Sequence, residues 1–564
     1  MLVSDFIARE LSKFCDCAFI GHGSSIIRLL DSLRKLRKIK LIPSQNEQGA
    51  SIAADAFSRL SKKIGLVVTT SGPGTINALQ GLASSYYDSI PVIYISGAPS
   101  KKLLRSEKSK MRQLGFQEMN ITQITKSFCK YAVRVTNPND VSFELQKCIN
   151  ISLSDRPGPC LIEIPEDIQR SQIKNIKKIK IKIKKNSKIK NDKIKKFIKL
   201  LENSKRPMLF LGSGLKRSKC KKEVNRFILK YKIPFSLSWG AFDLIDNKKL
   251  NTGSIGVYAT KNGNNIVQKC DLLIVLGARL NPTITSGKIE LFSPISKKIK
   301  VDIDIAELGK ESGIKYDLKI KSDLKYFFQK LNKKKINFNL NDNWLKYISN
   351  EKLRNPIVKK EYYTQKTHVN PYVFFSKLSN HVSKNSTIIN DTSNNFVWFF
   401  QSFIAKRGMD IFSSYNHSPM GYSVCASIGA FYANKKNKII SIIGDGGMQM
   451  NIQELENISN FKIPVKIILI QNNILGMVAQ ATDTWFKGKY VGCNKESGLS
   501  FPNFAKVFLS YGIKSMIIKN NKEIDAKLKI FFQDEKTKLC IVNVSPKSKV
   551  TPKVKFGGDL SSMN

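Results

Sequence analysis

Residues 439–477, IISIIGDGGMQMNIQELENISNFKIPVKIILIQNNILGM, constrain the fold more than any other stretch of the chain. An apolar strand runs into a glycine turn bearing one carboxylate; a helix follows, a proline breaks it, and a second apolar strand ends in two asparagines. Such a strand-helix-strand unit makes the strands parallel and puts Asp445 and Asn473 together at their carboxyl ends. Asp445 offers a carboxylate and Asn473, 28 residues later, an amide oxygen, a set that suits one small hard cation. Gly446 and Gly447 let backbone N–H groups approach an anion, and a helix expected from about Met448 aims its positive end the same way. A divalent metal holding a diphosphate fits this combination. The plain alternative is a tight connection, since Asp-Gly is a common turn dipeptide.

At 564 residues the chain is too long for one core and suits about three domains. Its net charge of +51 invites a nucleic-acid partner, but the basic residues are 78 Lys against 16 Arg, spread over the whole length. Base readout favours arginine and single-strand binding needs interleaved aromatics, so no nucleic acid is expected and the excess reads as compositional drift towards Lys, Ile and Asn. The ten cysteines are scattered, and the close pair Cys15 and Cys17 lacks metal-site spacing or a His partner, which points to a reducing cytoplasm. No run approaches the roughly 18 apolar residues of a membrane span, and the N-terminus mixes acids and bases at helical period instead of showing a signal-peptide core. No membrane association is expected.

In chain order, a helix is expected over about residues 2–14, then a strand CAFIG, a turn HGSS opening a helix to about Leu36, a strand KLIPS and a helix NEQGASIAADAFSRL. Gly49, Ala50, Ala53 and Ala54 give that helix a face for close packing. Glu47 stands at its start, where Ser44 and Glu47 make an S-x-x-E capping box that would by itself explain the glutamate. IGLVVTTSGPGTINALQGLASSYYDSIPVIYISG is again strand, glycine-proline turn, helix, strand. The basic run from about Gln169 reads as a linker. Beyond it PMLFLGSG, IPFSLSWG, DLLIVLGARL and KIKVDIDIAELG are four apolar strands of a second doubly wound sheet. GSGLKR lacks the third glycine of a dinucleotide fingerprint, with Arg217 in its place. A strand TIIND and a segment TSNNFVWFF open the third domain. The expected architecture is three α/β domains with doubly wound parallel sheets: 1–168, a basic linker 169–192, 193–335, a polar connection 336–366, 367–545, and a basic tail 546–564 that covers the site or is disordered.

The order NEQGA, TTSGPG, DSIP, GFQEMNI and RPGPCLIEIP, followed by GDG with NN 28 residues on, resembles the thiamine diphosphate enzymes over about residues 1–560, and among them is most similar to the acetolactate synthase (acetohydroxyacid synthase) large subunits. The resemblance implies pyrimidine-binding, central and diphosphate-binding domains in that order. It implies Mg²⁺ held by Asp445, Asn473 and the carbonyl of Leu475, and thiamine diphosphate contacted by Asn394, Asn395, Ser418, Gly446, Gly447 and Met477. Met420 would wedge between the two cofactor rings, Trp398 would be structural, and Glu47 would hydrogen-bond the aminopyrimidine and promote deprotonation of the thiazolium. Phe116, Gln117 and Lys130 match substrate-channel positions; their ordinary readings are core packing, a helix start and a solvated charge. The implied reaction is decarboxylation of a 2-keto acid such as pyruvate and carboligation to a second carbonyl. A sugar-pathway carboligase, a 2-keto acid decarboxylase or a pyruvate oxidase would share every cofactor motif. The central domain of the family carries FAD, but LNPTITSG stands here where an acidic RFDDR-type element is usual, so FAD is left open. A homodimer or homotetramer with sites shared between chains is implied, with a small regulatory subunit as a further partner. Ala481 stands where related enzymes have a Trp that contacts the extra methyl of 2-ketobutyrate.

Overall fold

Short β-branched runs, each closed by glycine, proline or a polar turn, form buried parallel strands, and the helices between them cover both faces of each sheet. The computed structural model describes residues 1–106, 108–176, 189–309 and 313–564. Much of the expected basic linker therefore lies outside the described residues, although Ile173 and Ile189 on either side of it are buried.

The first sheet contains β1 (Cys17–Ile20), β2 (Lys40–Pro43), β3 (Gly65–Thr69), β4 (Val92–Ala98), β5 (Tyr131–Arg134) and β6 (Cys160–Pro165), in the order β2-β1-β3-β4-β6-β5. The second contains β7 (Pro207–Leu211), β8 (Phe235–Leu237), β9 (Leu272–Leu276), β10 (Lys297–Asp302) and β11 (Leu318–Lys321), in the order β11-β10-β9-β7-β8. Four strands were expected there. The fifth, LKIK in β11, is hidden in the sequence by its lysines; Leu318 and Ile320 are the buried half of an alternating edge strand. The third sheet contains β12 (Ser386–Asn390), β13 (Asp410–Phe412), β14 (Lys438–Gly444), β15 (Val465–Gln471), β16 (Ser515–Ile518) and β17 (Lys538–Asn543), in the order β13-β12-β14-β15-β17-β16. Every paired neighbour in the three sheets is parallel.

Numbered from its own first strand, the third sheet has the same order as the first. In both, a helix follows the second strand, and these two equivalent helices, Glu47–Ser61 and Tyr422–Ala433, pack against each other. Small residues make the approach close: a Cβ at Gly429 would lie 1.9 Å from the carbonyl oxygen of Ala53. Phe19, Ile42 and Phe57 accordingly share one apolar cluster with Tyr422, Cys425, Ile428 and Ile467. A buried ion network pins the same junction. Arg59 pairs with Asp55 at 2.6 Å and Asp88 at 2.8 Å, the Tyr422 hydroxyl donates to Asp55 at 2.6 Å, and Asp88 accepts the N–H of Tyr415 at 2.8 Å. With so many partners the desolvation of these charges is offset.

The tail is tied into the fold, which excludes the alternative of disorder. The N–H of Val554 donates to Val257 and that of Gly557 to Ser286, while Val554, Leu560 and Met563 enter the apolar core of the central domain. On its way there it is held by the third α/β domain: the Gln480 amide makes two hydrogen bonds to the backbone of Val550, each 2.9 Å, and the Trp398 indole donates to the carbonyl of Lys549.

Gly429→Ala is expected to force the two crossing helices apart and to cost about 1–3 kcal/mol, as overpacking against backbone does. The midpoint of urea unfolding checks this; an unchanged midpoint would show that the crossing can relax.

Candidate cofactor and metal site

The turn that bears Asp445 is built where β14 ends. Its helix starts at Asp445 itself and spans Asp445–Met450, three residues earlier than the sequence suggests. Asp445 is buried; one carboxylate oxygen accepts the N–H groups of Asn472 at 3.0 Å and Asn473 at 2.6 Å, and the other accepts that of Gly446 at 2.9 Å. Burial pushes its pKa up to about 6, against the pull of those three donors. Asn473 adopts a left-handed φ of 57°, a conformation asparagine tolerates better than most residues. Two residues on, the Leu475 carbonyl accepts the N–H of Ala479 at 2.9 Å and keeps a second lone pair. The Leu475 side chain and Met420 converge on Gly446, where a Cβ would lie 2.5 Å from the first and 3.0 Å from the second.

β12 supplies the other wall. Asn394 opens the helix Asn394–Ser402, is buried, and has no hydrogen-bond partner among the described residues for either side-chain amide atom. It stands over Gly476, where a Cβ would be 2.5 Å from its Nδ2. Asn395 is spent on the turn, donating to Asn390 at 3.0 Å and to the carbonyl of Asp391 at 3.2 Å. Asp391, which sequence reasoning missed, is buried and joins two segments: it accepts the N–H groups of Thr392 at 2.8 Å in its own turn and of Gly421 at 3.2 Å and Ser423 at 3.1 Å. Burial pushes this carboxyl up to about 6 as well. A Cβ at Gly447 would meet it at 3.2 Å. Ser418, at a left-handed φ of 55°, donates to the Thr392 hydroxyl at 2.7 Å. Met477 and Ala481 lie on the helix Gly476–Phe486 that leaves the site.

Glu47 stands at the carboxyl end of the first sheet. The expected capping box is not formed. Asn46 is the N-cap, its side chain accepting the N–H of Gln48 at 2.8 Å, and the Ser44 hydroxyl is buried without a partner among the described residues. Glu47 is thus free of any capping duty. Its carboxylate accepts from the Asn77 amide at 3.1 Å and is gripped by two glycine turns: a Cβ at Gly21 would lie 2.3 Å from its Cγ, and one at Gly74 3.2 Å from its Oε1. Phe116 is 85% exposed, and the backbone of Gln117, at a φ of 59°, lies on Gly72. Lys130 precedes β5 and so stands at the opposite, amino end of the sheet, where its ammonium donates to the carbonyls of Ile151 and Ser154.

An all-oxygen set of one carboxylate, one amide and one carbonyl suits a hard divalent cation such as Mg²⁺. The unpartnered Asn394 amide, beside glycines that leave no side chain in the way, suits a diphosphate. In the central domain the turn Gly212-Ser213-Gly214 packs directly on Gly277, with a Cβ at Gly212 only 2.0 Å from the Gly277 carbonyl oxygen. Contact between two turns accounts for those glycines without a nucleotide.

Comparison with known proteins agrees with the three-domain division. The family model for the thiamine pyrophosphate enzyme N-terminal TPP binding domain matches residues 1–124, that for the central domain residues 194–331, and that for the C-terminal TPP binding domain residues 391–544. The acetolactate synthase large subunit of Cyanidium caldarium is 32% identical over 528 residues, covering 90% of this chain and 86% of that protein. That of Lactococcus lactis subsp. lactis is 28% identical over 543 residues, covering 95% and 91%. Acetolactate synthase 1, chloroplastic, of Nicotiana tabacum is 27% identical over 560 residues, covering 96% and 81%.

Asn394→Ala removes a buried amide that bonds nothing described in the fold, so stability should change by less than about 1 kcal/mol. Binding of thiamine diphosphate with Mg²⁺, measured by calorimetry, should weaken by about 1.5–3 kcal/mol, the scale of a hydrogen bond to a charged group. Unchanged affinity together with a large loss of stability would mean the amide serves the fold.

Proposed function

This chain belongs to the thiamine pyrophosphate enzymes, and from that premise we propose that it decarboxylates a 2-keto acid, pyruvate in the first instance, and joins the two-carbon fragment to a second carbonyl, as an acetolactate synthase does. The observation that carries the reading is the all-oxygen turn at Asp445 beside the unpartnered Asn394. Asp445, Asn473 and the Leu475 carbonyl would hold Mg²⁺. Asn394, with Asn395, Ser418, Gly446, Gly447 and Met477 around it, would receive the diphosphate, and Met420 would set the bend between the rings. Thiamine diphosphate supplies the carbon nucleophile that carries the acyl fragment once CO₂ has left. Glu47, held in place by Asn77 and the turns at Gly21 and Gly74, would serve as the acid-base group facing the aminopyrimidine.

Glu47 and Asp445 stand on separate α/β units, which supports a homodimer as the smallest functional assembly, each site taking Glu47 from one chain and Asp445 from the other. Phe116 and Trp485, 85% and 60% exposed, fit surfaces that a second chain covers. The relatives named as large subunits extend to this chain the expectation of a small partner subunit. No helix among the described residues is long and apolar enough to cross a membrane, and ten buried, unpaired cysteines fit a reducing compartment such as the cytoplasm.

A bulkier aldehyde or keto acceptor, as in a sugar-pathway carboligase, is the second reading, favoured by Ala481. Ala481 is exposed on its helix; one turn further, Trp485 is held by Lys555 of the tail, whose ammonium lies 5.1 Å from the ring centre. The chain therefore has an indole near the expected position, displaced by one turn.

Purification with thiamine diphosphate and Mg²⁺, and analysis of the products from pyruvate alone and with added acceptors, tests the reaction. Glu47→Gln should leave the fold intact and lower the rate by about 10²–10⁴, the usual scale of general acid-base catalysis; near-normal turnover would remove Glu47 from the mechanism. In competition between pyruvate and 2-ketobutyrate as acceptors, loss of the indole contact at Ala481 predicts little preference, since even a fitted pocket discriminates one methylene by only about 1–3 kcal/mol. A strong 2-ketobutyrate preference would show that Trp485 does the work of the missing ring.

A further inference from the structure

Nine residues after Asp445 the chain starts the helix Glu454–Asn460, and its first side chain points back to the other α/β unit. Glu454 is fully buried. One of its oxygens accepts the N–H of Asn46 at 3.0 Å, and the other accepts the Asn457 amide at 2.7 Å. Asn46 is the cap of the helix Glu47–Ser61 and the immediate neighbour of Glu47. The carboxylate also fills the space over Gly49, where a Cβ would lie 2.3 Å from Oε1, so the glycine two residues after Glu47 is required by Glu454. An anion at the N-terminus of a 15-residue helix is favoured by the helix dipole. In return it fixes where that helix begins, and with it the point from which the Glu47 side chain departs.

We propose that Glu454 is a positioning residue for Glu47 of its own chain. The inference rests on the shared-site reading, in which Glu47 serves the site whose metal end lies on the partner chain. Glu454 then links two sites: it follows the metal turn of one and orients the acid-base group of the other. Nothing in this requires Glu454 to touch substrate or cofactor. Its contribution is geometric, and displacement of a catalytic group by about 1 Å can cost about 10²-fold in rate.

The test uses differently tagged chains under conditions of subunit exchange. A hybrid of one Asp445→Asn chain and one Glu47→Gln chain contains a single intact site, made from Glu47 of the first and Asp445 of the second. Glu454→Ala on the first chain should lower kcat of this hybrid by about 10- to 100-fold, whereas on the second chain it should leave kcat within about twofold. Both hybrids carry the same cavity, so a merely structural loss would affect them alike. Glu454→Gln, which keeps an acceptor oxygen for Asn46, should restore the first hybrid. If Glu454→Ala does not fold, Gly49→Ala, which pushes the carboxylate aside, should give the same asymmetry between the chains. Equal losses from either chain, or no loss from either, in an active parent hybrid overturn the inference alone. A parent hybrid that stays inactive although exchange is demonstrated overturns the shared-site reading and this inference with it.

Discussion

Three backbone N–H groups converge on the buried carboxylate of Asp445, and the organisation of the third sheet depends on that contact. Two of the donors, from Asn472 and Asn473, come from the end of β15, so the carboxylate ties the turn after β14 to the turn after its neighbour. A carboxylate in such a place loses most of its hydration, which pushes its pKa up. A divalent cation would restore the missing charge balance, because it favours the ionised form that burial disfavours. Asp391 repeats the device one strand away, with three backbone donors from the turns after β12 and after Met420. This end of the third sheet is therefore assembled from turns held to one another by buried carboxylates, not from side chains reaching across a groove.

That construction explains which parts could be read from the sequence. That Asp445 and Asn473 meet is legible because they lie within one strand-helix-strand unit, where spacing and glycine pattern restrict the geometry, whereas Leu475 was implied only by the family resemblance. The three sheets follow from the apolar runs. β11 does not, because lysines alternate with its buried residues and an edge strand needs only half its side chains apolar. Glu47 is a mixed case. Local pattern offers a Ser44–Glu47 capping box, but Asn46 is the better-placed acceptor and takes the cap, which leaves Glu47 available. Glu454 was out of reach, since its contact with Asn46 spans 408 residues and nothing in NIQELEN distinguishes an inward glutamate from the solvated face of a helix.

The shared strand order of the first and third sheets makes the helices Glu47–Ser61 and Tyr422–Ala433 equivalent, and their crossing decides how the two units sit. Gly429 and Ala53 set the distance. Asp55, Arg59, Asp88 and Tyr422 set the orientation, because a fully desolvated network tolerates few alternative arrangements. A glycine-alanine contact allows the backbones to meet but carries little directional preference of its own; the ion network supplies that. Small residues and buried charges at one crossing are thus complementary, not redundant.

The tail extends the same logic to the central domain. Val554, Leu560 and Met563 give it apolar anchors there, while Gln480 and Trp398 hold its earlier part on the diphosphate domain. Gln480 is the residue before Ala481 on the helix that begins at the metal turn, and Lys555 rests on Trp485 one turn beyond. The helix that carries the expected specificity position is therefore braced from the metal end by Leu475 and from the outside by the tail. Its exposed face, which includes Ala481, belongs to a helix tied down at both ends. Position 481 therefore presents a small exposed side chain, and the ring nearest to it is Trp485, one turn on, against which the tail sets Lys555.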